Sequence, residues 1–261
     1  MENDRNEALE LISLSVLAEA EGPVGSMRLS EVFQEKGHSL SQATAGRFLR
    51  QLDLLGLTRG GGKRGRTITR DGLDRLAELH SRRELKKKSA LLMNAANVTD
   101  LSELCELLLV RRAVESEGAR LAALRASNGQ LQDILTEARA HVADVEAARV
   151  PQAASSVRFH RMIAEASCNP MLISIAMVLL EPANPSLTGV LEEVSVGSSM
   201  VASHAKEHVL LAEALIARDP ERAHDLMYRH ISSMIAPVEA QLGGGAAAGV
   251  PSPSLMAAGL C

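Results

Sequence analysis

Residues 39–73 decide the fold of the N-terminal region: SLSQATAGRFLRQLDLLGLTRGGGKRGRTITRDGL. The first half has helical periodicity, with Ala45, Phe48, Leu49 and Leu52 on one face and serines before it that can cap a helix. The second half has two short β-prone pieces around a glycine-rich, basic tip, which is typical of a hairpin. The stretch therefore predicts a helix to about residue 55, followed by a two-stranded wing.

Two further helices are predicted before this stretch, over residues 7–20 and 26–35. Gly22 and Pro23 end the first, and Gly37 provides the turn after the second. Three helices followed by a hairpin is the element order of a winged helix-turn-helix. We assign residues 1–80 to this domain.

The third helix and the wing carry side chains suited to double-stranded DNA. Polar groups on the outward helix face have the length to meet base edges and phosphates from the major groove. Basic groups among glycines at the wing tip suit phosphate or minor-groove contacts. The predicted DNA-binding residues are Ser41, Gln42, Thr44 and Arg47 on the helix and Lys63, Arg64 and Arg66 on the wing.

The charge distribution agrees with this prediction. The chain has a net charge of −4, yet residues 38–88 hold 13 basic and 5 acidic side chains. Residues 89–261 hold 12 basic and 19 acidic side chains. A basic segment beside an acidic body is typical of a nucleic-acid-binding module. A solvated, arginine-rich surface would give the same totals, and charge alone does not separate the two.

The rest of the chain predicts a fold that is mainly α. Residues 81–98 are predicted to be a charged linker whose start continues a connecting helix, and residues 99–242 have helical periodicity in every long segment. Short breaks between these segments predict an antiparallel helical bundle. The glycine- and alanine-rich residues 243–261 are predicted to be a disordered tail.

Three histidines are the candidate metal ligands of the helical domain. His208 and His230 each lie 11 residues from Asp219, where two helices are predicted to meet, so antiparallel helices place both about 16 Å from the turn. His160 lies among apolar neighbours on an earlier helix and is expected to face inward. Three converging imidazoles predict a transition-metal site. For each histidine alone, a buried and hydrogen-bonded ring is the open alternative.

Two families share these patterns. Residues 7–79 resemble the winged helix of archaeal and bacterial nitrogen-repressor-type regulators, most specifically in the Arg-Gly-Arg-x-Ile-Thr-x-x-Gly wing at residues 64–72. Residues 99–240 resemble the FCD ligand-binding domain of GntR-superfamily repressors. Three blocks carry this likeness: DLSELCELLLVRRAVESEGARLAA, FHRMIAEASCNPML and EHVLLAEALIARDPERAHDLMYRH. An FCD domain normally follows a GntR-type winged helix, so the pairing is unusual.

The FCD resemblance implies a bundle of six or seven helices that binds a metal through one Asp and three His. His160, His208 and His230 match the three histidines, but Ser156 stands at the position of the Asp, one turn before His160. Three imidazoles favour zinc or nickel. His204 lies one turn before His208 and is a candidate to replace the missing Asp as a ligand, although we expect it to be exposed.

The same resemblance implies a small carboxylate effector held beside the metal. Arg111, Ser156 and Asn169 are the candidate effector-binding residues. Arg111 can clamp an anion in a bidentate manner or form an ion pair with Glu115 one turn on, and both interpretations stay open. Asn169 matches a family turn in which Cys168 replaces the usual glycine, so we expect turn geometry to be its first role.

The combined prediction is a ligand-responsive repressor that binds an inverted DNA repeat as a homodimer, because one winged helix buries too little surface for tight specific binding. Three scattered cysteines, a charged start and the lack of a long apolar run predict a cytoplasmic protein without a secretory signal or membrane span. Two alternatives are a constitutive DNA-binding dimer without metal and a metal-dependent enzyme. An enzyme is disfavoured because the chain has no H-E-x-x-H and no evident nucleophile–base pair.

Overall fold

A computed structural model of the protein describes residues 2–147, 152–180 and 198–245. The fold is mainly α with one two-stranded antiparallel sheet, as predicted. The chain divides into two compact units, residues 1–91 and 92–261. None of the helices in the described residues is long and apolar enough to cross a membrane.

The first unit has the predicted order of a winged helix. Its elements are α1 (Glu2–Glu19), α2 (Ser26–Glu35), α3 (Gln42–Leu54), β1 (Thr58–Gly60), β2 (Arg66–Ile68) and α4 (Arg70–Ala96). The Ser41 hydroxyl accepts a hydrogen bond from the backbone N–H of Thr44 and so caps α3. Phe33 of α2 and Phe48 of α3 pack edge to face at 6.2 Å between ring centroids.

The wing depends on glycine at its tip. β1 and β2 pair antiparallel with Thr58 opposite Ile68, and Val24 adds a bridge to Arg66 on the other side. Gly65 has φ +114°, and a Cβ there would lie 2.5 Å from the Val24 carbonyl group. Only glycine fits this combination of positive φ and close backbone approach.

α4 continues through most of the predicted linker and ends at Ala96. The predicted linker, residues 81–98, is therefore helical up to Ala96. Its composition explains the extension, because Leu, Lys, Glu and Ala are strong helix formers. Pairs such as Glu78–Arg82 and Glu84–Lys87 add short-range ion pairs along the exposed face.

The second unit is the predicted helical bundle. Its elements are α5 (Leu101–Arg125), α6 (Asn128–Glu146), α7 (Gln152–Ala166), α8 (Pro170–Leu179), α9 (Ser198–Ile216) and α10 (Pro220–Gly245). Side chains at the helix starts accept backbone N–H bonds, among them Asp100, Ser127, Asn169 and Asp219. The predicted tail, residues 243–261, begins with a continuation of α10 to Gly245, and the rest of it lies outside the described residues. Residues 181–186, where the sequence Glu-Pro-Ala-Asn-Pro-Ser predicts a break, also lie outside them.

The bundle core positions the candidate site. α5 packs along α10, α6 packs along α9, and α7 contacts both α5 and α6. The core is built of Leu, Ala and Ile with Phe159 at its centre. Several polar side chains are buried in this unit, and the larger ones are Glu115, His141, His160, His208 and His230. Burial of so many titratable groups requires that they satisfy one another.

Candidate metal centre and DNA interface

The three candidate histidines lie close together inside the bundle. His160 is on α7, His208 on α9 and His230 on α10, and each ring is at most 3% exposed. Nε2 of His230 lies 3.1 Å from Nε2 of His208 and 3.3 Å from Nε2 of His160. One ring nitrogen from each histidine lies within 4.8 Å of the other two.

Helix geometry explains this convergence. α9 and α10 fold back on each other around Asp219, so the two histidines 11 residues from that turn arrive at one level. The ring of Phe159 stacks on His208 at 4.1 Å between centroids and holds its plane. His160, the next residue on α7, reaches the same point from the third side.

Each of the three rings has a partner at its outward nitrogen. Nδ1 of His160 lies against the Glu115 carboxylate on α5. Nδ1 of His230 is 2.8 Å from the Glu207 carboxylate on α9. Nδ1 of His208 is 3.2 Å from Nδ1 of His141 on α6. Outer partners of this kind fix the orientation and tautomer of a metal-binding histidine.

The two carboxylates are ionised and accept hydrogen bonds. Burial acts to raise the pKa of Glu115, but the charge of Arg111 and the polar contacts with Arg111 and His160 outweigh it and hold that pKa at about 2. The guanidinium Nε of Arg111 donates to Glu115 at 2.6 Å. For Glu207, burial also acts to raise the pKa, and the hydrogen bond with His230 lowers it below its ordinary value.

Burial keeps most of the clustered histidines neutral. It is the largest cause that lowers the pKa of His141 and of His160, and it holds the pKa of His208 well below its ordinary value. Neutral imidazole is the form that binds metal ions.

The donor set fits a divalent transition metal. Nδ1 of His160 and Nδ1 of His230 each lie against an ionised carboxylate, which only accepts. The tautomer with the proton on Nδ1 suits both contacts, and it places lone pairs on the two Nε2 atoms that face each other. A divalent cation bound by these atoms would replace the lone-pair repulsion with coordination. Four ligands at the usual Zn–N bond length stand about 3.3 Å apart in a tetrahedron, and two of the nitrogen separations are 3.1 and 3.3 Å.

The remaining candidate residues of this domain have local partners. Arg111 forms the ion pair with Glu115, one of the two interpretations left open by the sequence. The Asn169 side chain caps α8 through the N–H groups of Met171 and Leu172. Ser156 is partly buried on α7, one turn before His160. His204 is half-buried rather than exposed, because its Nε2 lies 2.9 Å from the Ser233 hydroxyl.

The space beside His160 is closed among the described residues. A crevice bordered by Glu115, Gly118, Leu172 and Met227 has no room for a water molecule. An anionic effector at this place would need the surrounding side chains to move.

In the first unit, some of the predicted DNA-contacting side chains are exposed, and others have partners within the domain. Gln42 and Arg47 are exposed on α3, where Arg47 donates to the Thr44 hydroxyl at 3.2 Å. Ser41 caps the helix, and Arg64 is exposed at the wing tip. The Lys63 side chain lies outside the described part of the structure.

Arg66 differs from the others. Its Nε donates to Asp53 at 2.7 Å, and the other Asp53 oxygen accepts from the Thr58 hydroxyl. Arg66 therefore ties β2 to the end of α3. Arg59 on β1 is exposed and adds a basic group to the wing that the sequence analysis did not single out.

Sequence reasoning also missed two residues of the metal centre. His141 belongs to no motif, but it continues the buried series Leu131, Leu135 and Ala138 on α6, so helical periodicity places it in the core. Glu207 directly precedes His208, and spacing along α9 alone predicts that its side chain points away from the ligand face. It instead reaches the outward nitrogen of His230, a contact between two helices that spacing on one helix does not predict.

Comparison with family models matches both units of the chain. The FCD domain model matches residues 106–233. A winged-helix model, described as the ribonuclease R winged-helix domain, matches residues 11–76. The second match agrees with the predicted fold of the N-terminal domain and does not bear on its likeness to the nitrogen-repressor type. No curated protein matches the chain by sequence.

Three solved structures align with most of the chain. Streptococcus agalactiae GntR is 21% identical, with 88% of this chain and 99% of that chain covered and a TM-score of 0.45. E. coli McbR/YncC is 17% identical, with 91% and 97% covered and a TM-score of 0.48. Lar, which controls the expression of the Listeria monocytogenes agr system, is 11% identical, with 90% and 96% covered and a TM-score of 0.43.

The family match and the geometry agree on the organisation of the molecule. A winged helix precedes a helical domain with three buried, converging histidines. The two matches, an FCD domain model at residues 106–233 and a winged-helix model at residues 11–76, support a ligand-responsive, DNA-binding transcription regulator.

Proposed function

We propose that the helical domain holds one zinc or nickel ion on His160, His208 and His230. In this proposal the ion helps to bind a small carboxylate, and that effector changes the affinity of the winged helix for DNA. The supporting observation is the set of three Nε2 atoms that face one another with their outward nitrogens already engaged. Ser156 supplies no carboxylate, so the protein ligands number three and other positions on the ion remain for water or effector.

Metal uptake tests this proposal directly. Protein purified without affinity resin should contain, or take up, about one zinc or nickel ion per chain. His208→Ala should abolish uptake, and Ser156→Asp should raise affinity because it adds the missing carboxylate one turn before His160. Wild-type protein that folds but takes up neither ion would contradict the proposal.

We also propose that the exposed groups of α3 and the wing contact DNA as a homodimer bound to an inverted repeat. Gln42 and Arg47 are placed to read base edges, and Arg59 and Arg64 to contact phosphates. A repressor that acts on chromosomal DNA works in the cytoplasm. Ultracentrifugation with and without a palindromic operator measures the assembly. A monomer that binds one half-site tightly would contradict the proposed homodimer.

A second candidate function has one observation in its favour. The crevice beside His160 is closed, as expected if the helical domain only dimerises and the DNA binding is constitutive. Operator affinity, measured with and without metal and with a panel of small carboxylates, distinguishes a ligand-responsive regulator from a constitutive DNA-binding dimer. A regulator responds to at least one of them, whereas a constitutive binder responds to none.

A further inference from the structure

His141 is the one outer partner in the metal centre that is not a carboxylate. It lies on α6, is 3% exposed, and places Nδ1 at 3.2 Å from Nδ1 of His208. Its other ring nitrogen, Nε2, is buried without a hydrogen-bond partner among the described residues. The two other ligand rings face Glu115 and Glu207 instead.

This difference matters because a carboxylate and an imidazole control protons differently. An ionised carboxylate only accepts, so it holds the proton of its partner on Nδ1 and leaves Nε2 free for a metal. A neutral imidazole can accept or donate at Nδ1. One hydrogen atom lies between the two Nδ1 atoms of His141 and His208, and either ring can carry it.

Two arrangements of that proton are possible, and only one is compatible with a metal ion. With the proton on Nδ1 of His141, His208 carries its own proton on Nε2 and donates it to Nε2 of His230 at 3.1 Å. With the proton on Nδ1 of His208, Nε2 of His208 presents a lone pair and His141 carries its proton on Nε2. Each neutral ring keeps one proton in both arrangements, so the change releases none.

We infer that His141 is a positioning residue that sets the tautomer of His208 and thereby switches this ligand between a hydrogen-bonded form and a metal-binding form. The inference rests on the proposed metal function. Phe159 stacks on His208 and holds the ring plane, so the switch moves protons and not the ring. The unpartnered Nε2 of His141 is the atom that takes up the proton in the metal-binding form.

Two substitutions separate positioning from packing. His141→Asn places an amide oxygen near the position of Nδ1 and keeps an acceptor for His208. His141→Leu fills the space and removes the acceptor. We expect His141→Leu to lower zinc affinity by about 10–100-fold, the range found for lost outer-shell partners, and His141→Asn to retain most of it. His224→Leu removes an imidazole of α10 outside the cluster and serves as the control.

Zinc affinity is measured by competition with a chromophoric chelator, and the visible spectrum of the cobalt-loaded protein reports the coordination geometry. If wild-type protein takes up no zinc, the metal proposal and this inference both fail. If wild type binds zinc and His141→Leu binds it equally well, only the role of His141 is overturned. That role is also overturned if His141→Asn loses as much zinc affinity as His141→Leu.

The tautomer itself can be measured in wild-type protein, which covers the case in which His141→Leu does not fold. Nitrogen-15 spectra of the zinc-loaded protein should show His141 protonated on Nε2 and not on Nδ1. A proton on Nδ1 of His141 in that state would overturn the inference.

Discussion

Individual side chains in this protein have roles that their types alone do not reveal. Arg64 and Arg66 stand two positions apart in one basic wing, yet Arg64 is exposed and Arg66 is held by Asp53. The difference arises because Arg64 lies at the tip before β2 begins, whereas Arg66 is the first residue of that strand. An arginine at a wing is therefore assigned to DNA only when its guanidinium is not already engaged.

Arg64→Ala and Arg66→Ala should separate DNA contact from structure. Arg64→Ala should lower operator affinity and reduce the salt slope by about one, with little change in stability. Arg66→Ala should lower the free energy of unfolding by about 1–2 kcal/mol, because it breaks a partly buried, charge-assisted hydrogen bond. Fluorescence anisotropy at several salt concentrations and urea unfolding measure the two effects. If Arg66 contacted DNA instead, Arg66→Ala would keep its stability and lose DNA affinity.

Cys168 is a non-glycine residue in the left-handed region, with φ 51° after the end of α7. Cys168→Gly should raise the free energy of unfolding by about 0.5–1 kcal/mol, because glycine adopts this conformation without the Cβ penalty. Cys168→Ser is the matched control, since it removes the thiol and keeps the strain. Urea unfolding that gives equal gains for both substitutions would assign the effect to the thiol.

At the scale of elements, the sequence predicted helix positions well because caps and periodicity are local. Ser41 caps α3 and Asp219 lies between two helices, as expected, and Asp100 caps α5. The continuation of α4 to Ala96 was missed because the basic run at residues 82–88 was interpreted as a linker, although residues 82–96 contain no Gly or Pro that would end a helix. His141 and Glu207 were missed as site residues because their contacts join different helices, and that pairing is a property of the packed bundle.

The junction between the wing and α4 depends on Gly72. A Cβ at this position would lie 2.1 Å from the Leu57 carbonyl oxygen and 2.7 Å from the Ile68 side chain. Gly72→Ala should therefore lower the free energy of unfolding by about 1–3 kcal/mol, the usual cost of overpacking. Differential scanning calorimetry measures this loss of stability.

Gly46 in α3 is the matched control for that substitution. A Cβ there would meet Ser26 at 3.5 Å, an ordinary contact. Gly46→Ala should raise the free energy of unfolding by about 0.5–1 kcal/mol, because alanine is the better helix former. Equal destabilisation by the two substitutions would contradict the role of close approach at Gly72.

At the scale of the whole molecule, the buried histidines make stability depend on pH. Burial lowers the pKa of His141, His160 and His208, and burial is the largest cause that lowers that of His204 to about 4. The unfolded chain binds these protons near the ordinary histidine pKa of about 6.5. The folded state binds them only at lower pH, so the unfolded state gains protons first as the pH falls.

The metal-free protein should therefore keep its full stability above about pH 6.5 and lose it steadily between about pH 6.5 and 4. Urea midpoints across that range measure the loss. Saturating zinc at neutral pH should raise the free energy of unfolding by about 2.7 kcal/mol at one hundred times Kd. This gain should shrink on acidification, because protons compete for the ring nitrogens. A midpoint that does not change between about pH 7 and 5 would contradict the neutral, buried cluster.

The contact between Arg111 and Glu115 has a consequence for signalling. The Glu115 carboxylate accepts a hydrogen bond from Arg111 at Oε1, and its Oε2 lies against Nδ1 of His160. An anion that draws Arg111 away from Glu115 strengthens the negative charge felt by His160 and makes that ring a better donor to a cation. Thermodynamic reciprocity then requires the cation to favour the same anion by the same factor. If the helical domain binds both an ion and an anionic effector, as proposed, Glu115 would couple the two binding events, and the concentration of either would change the response to the other.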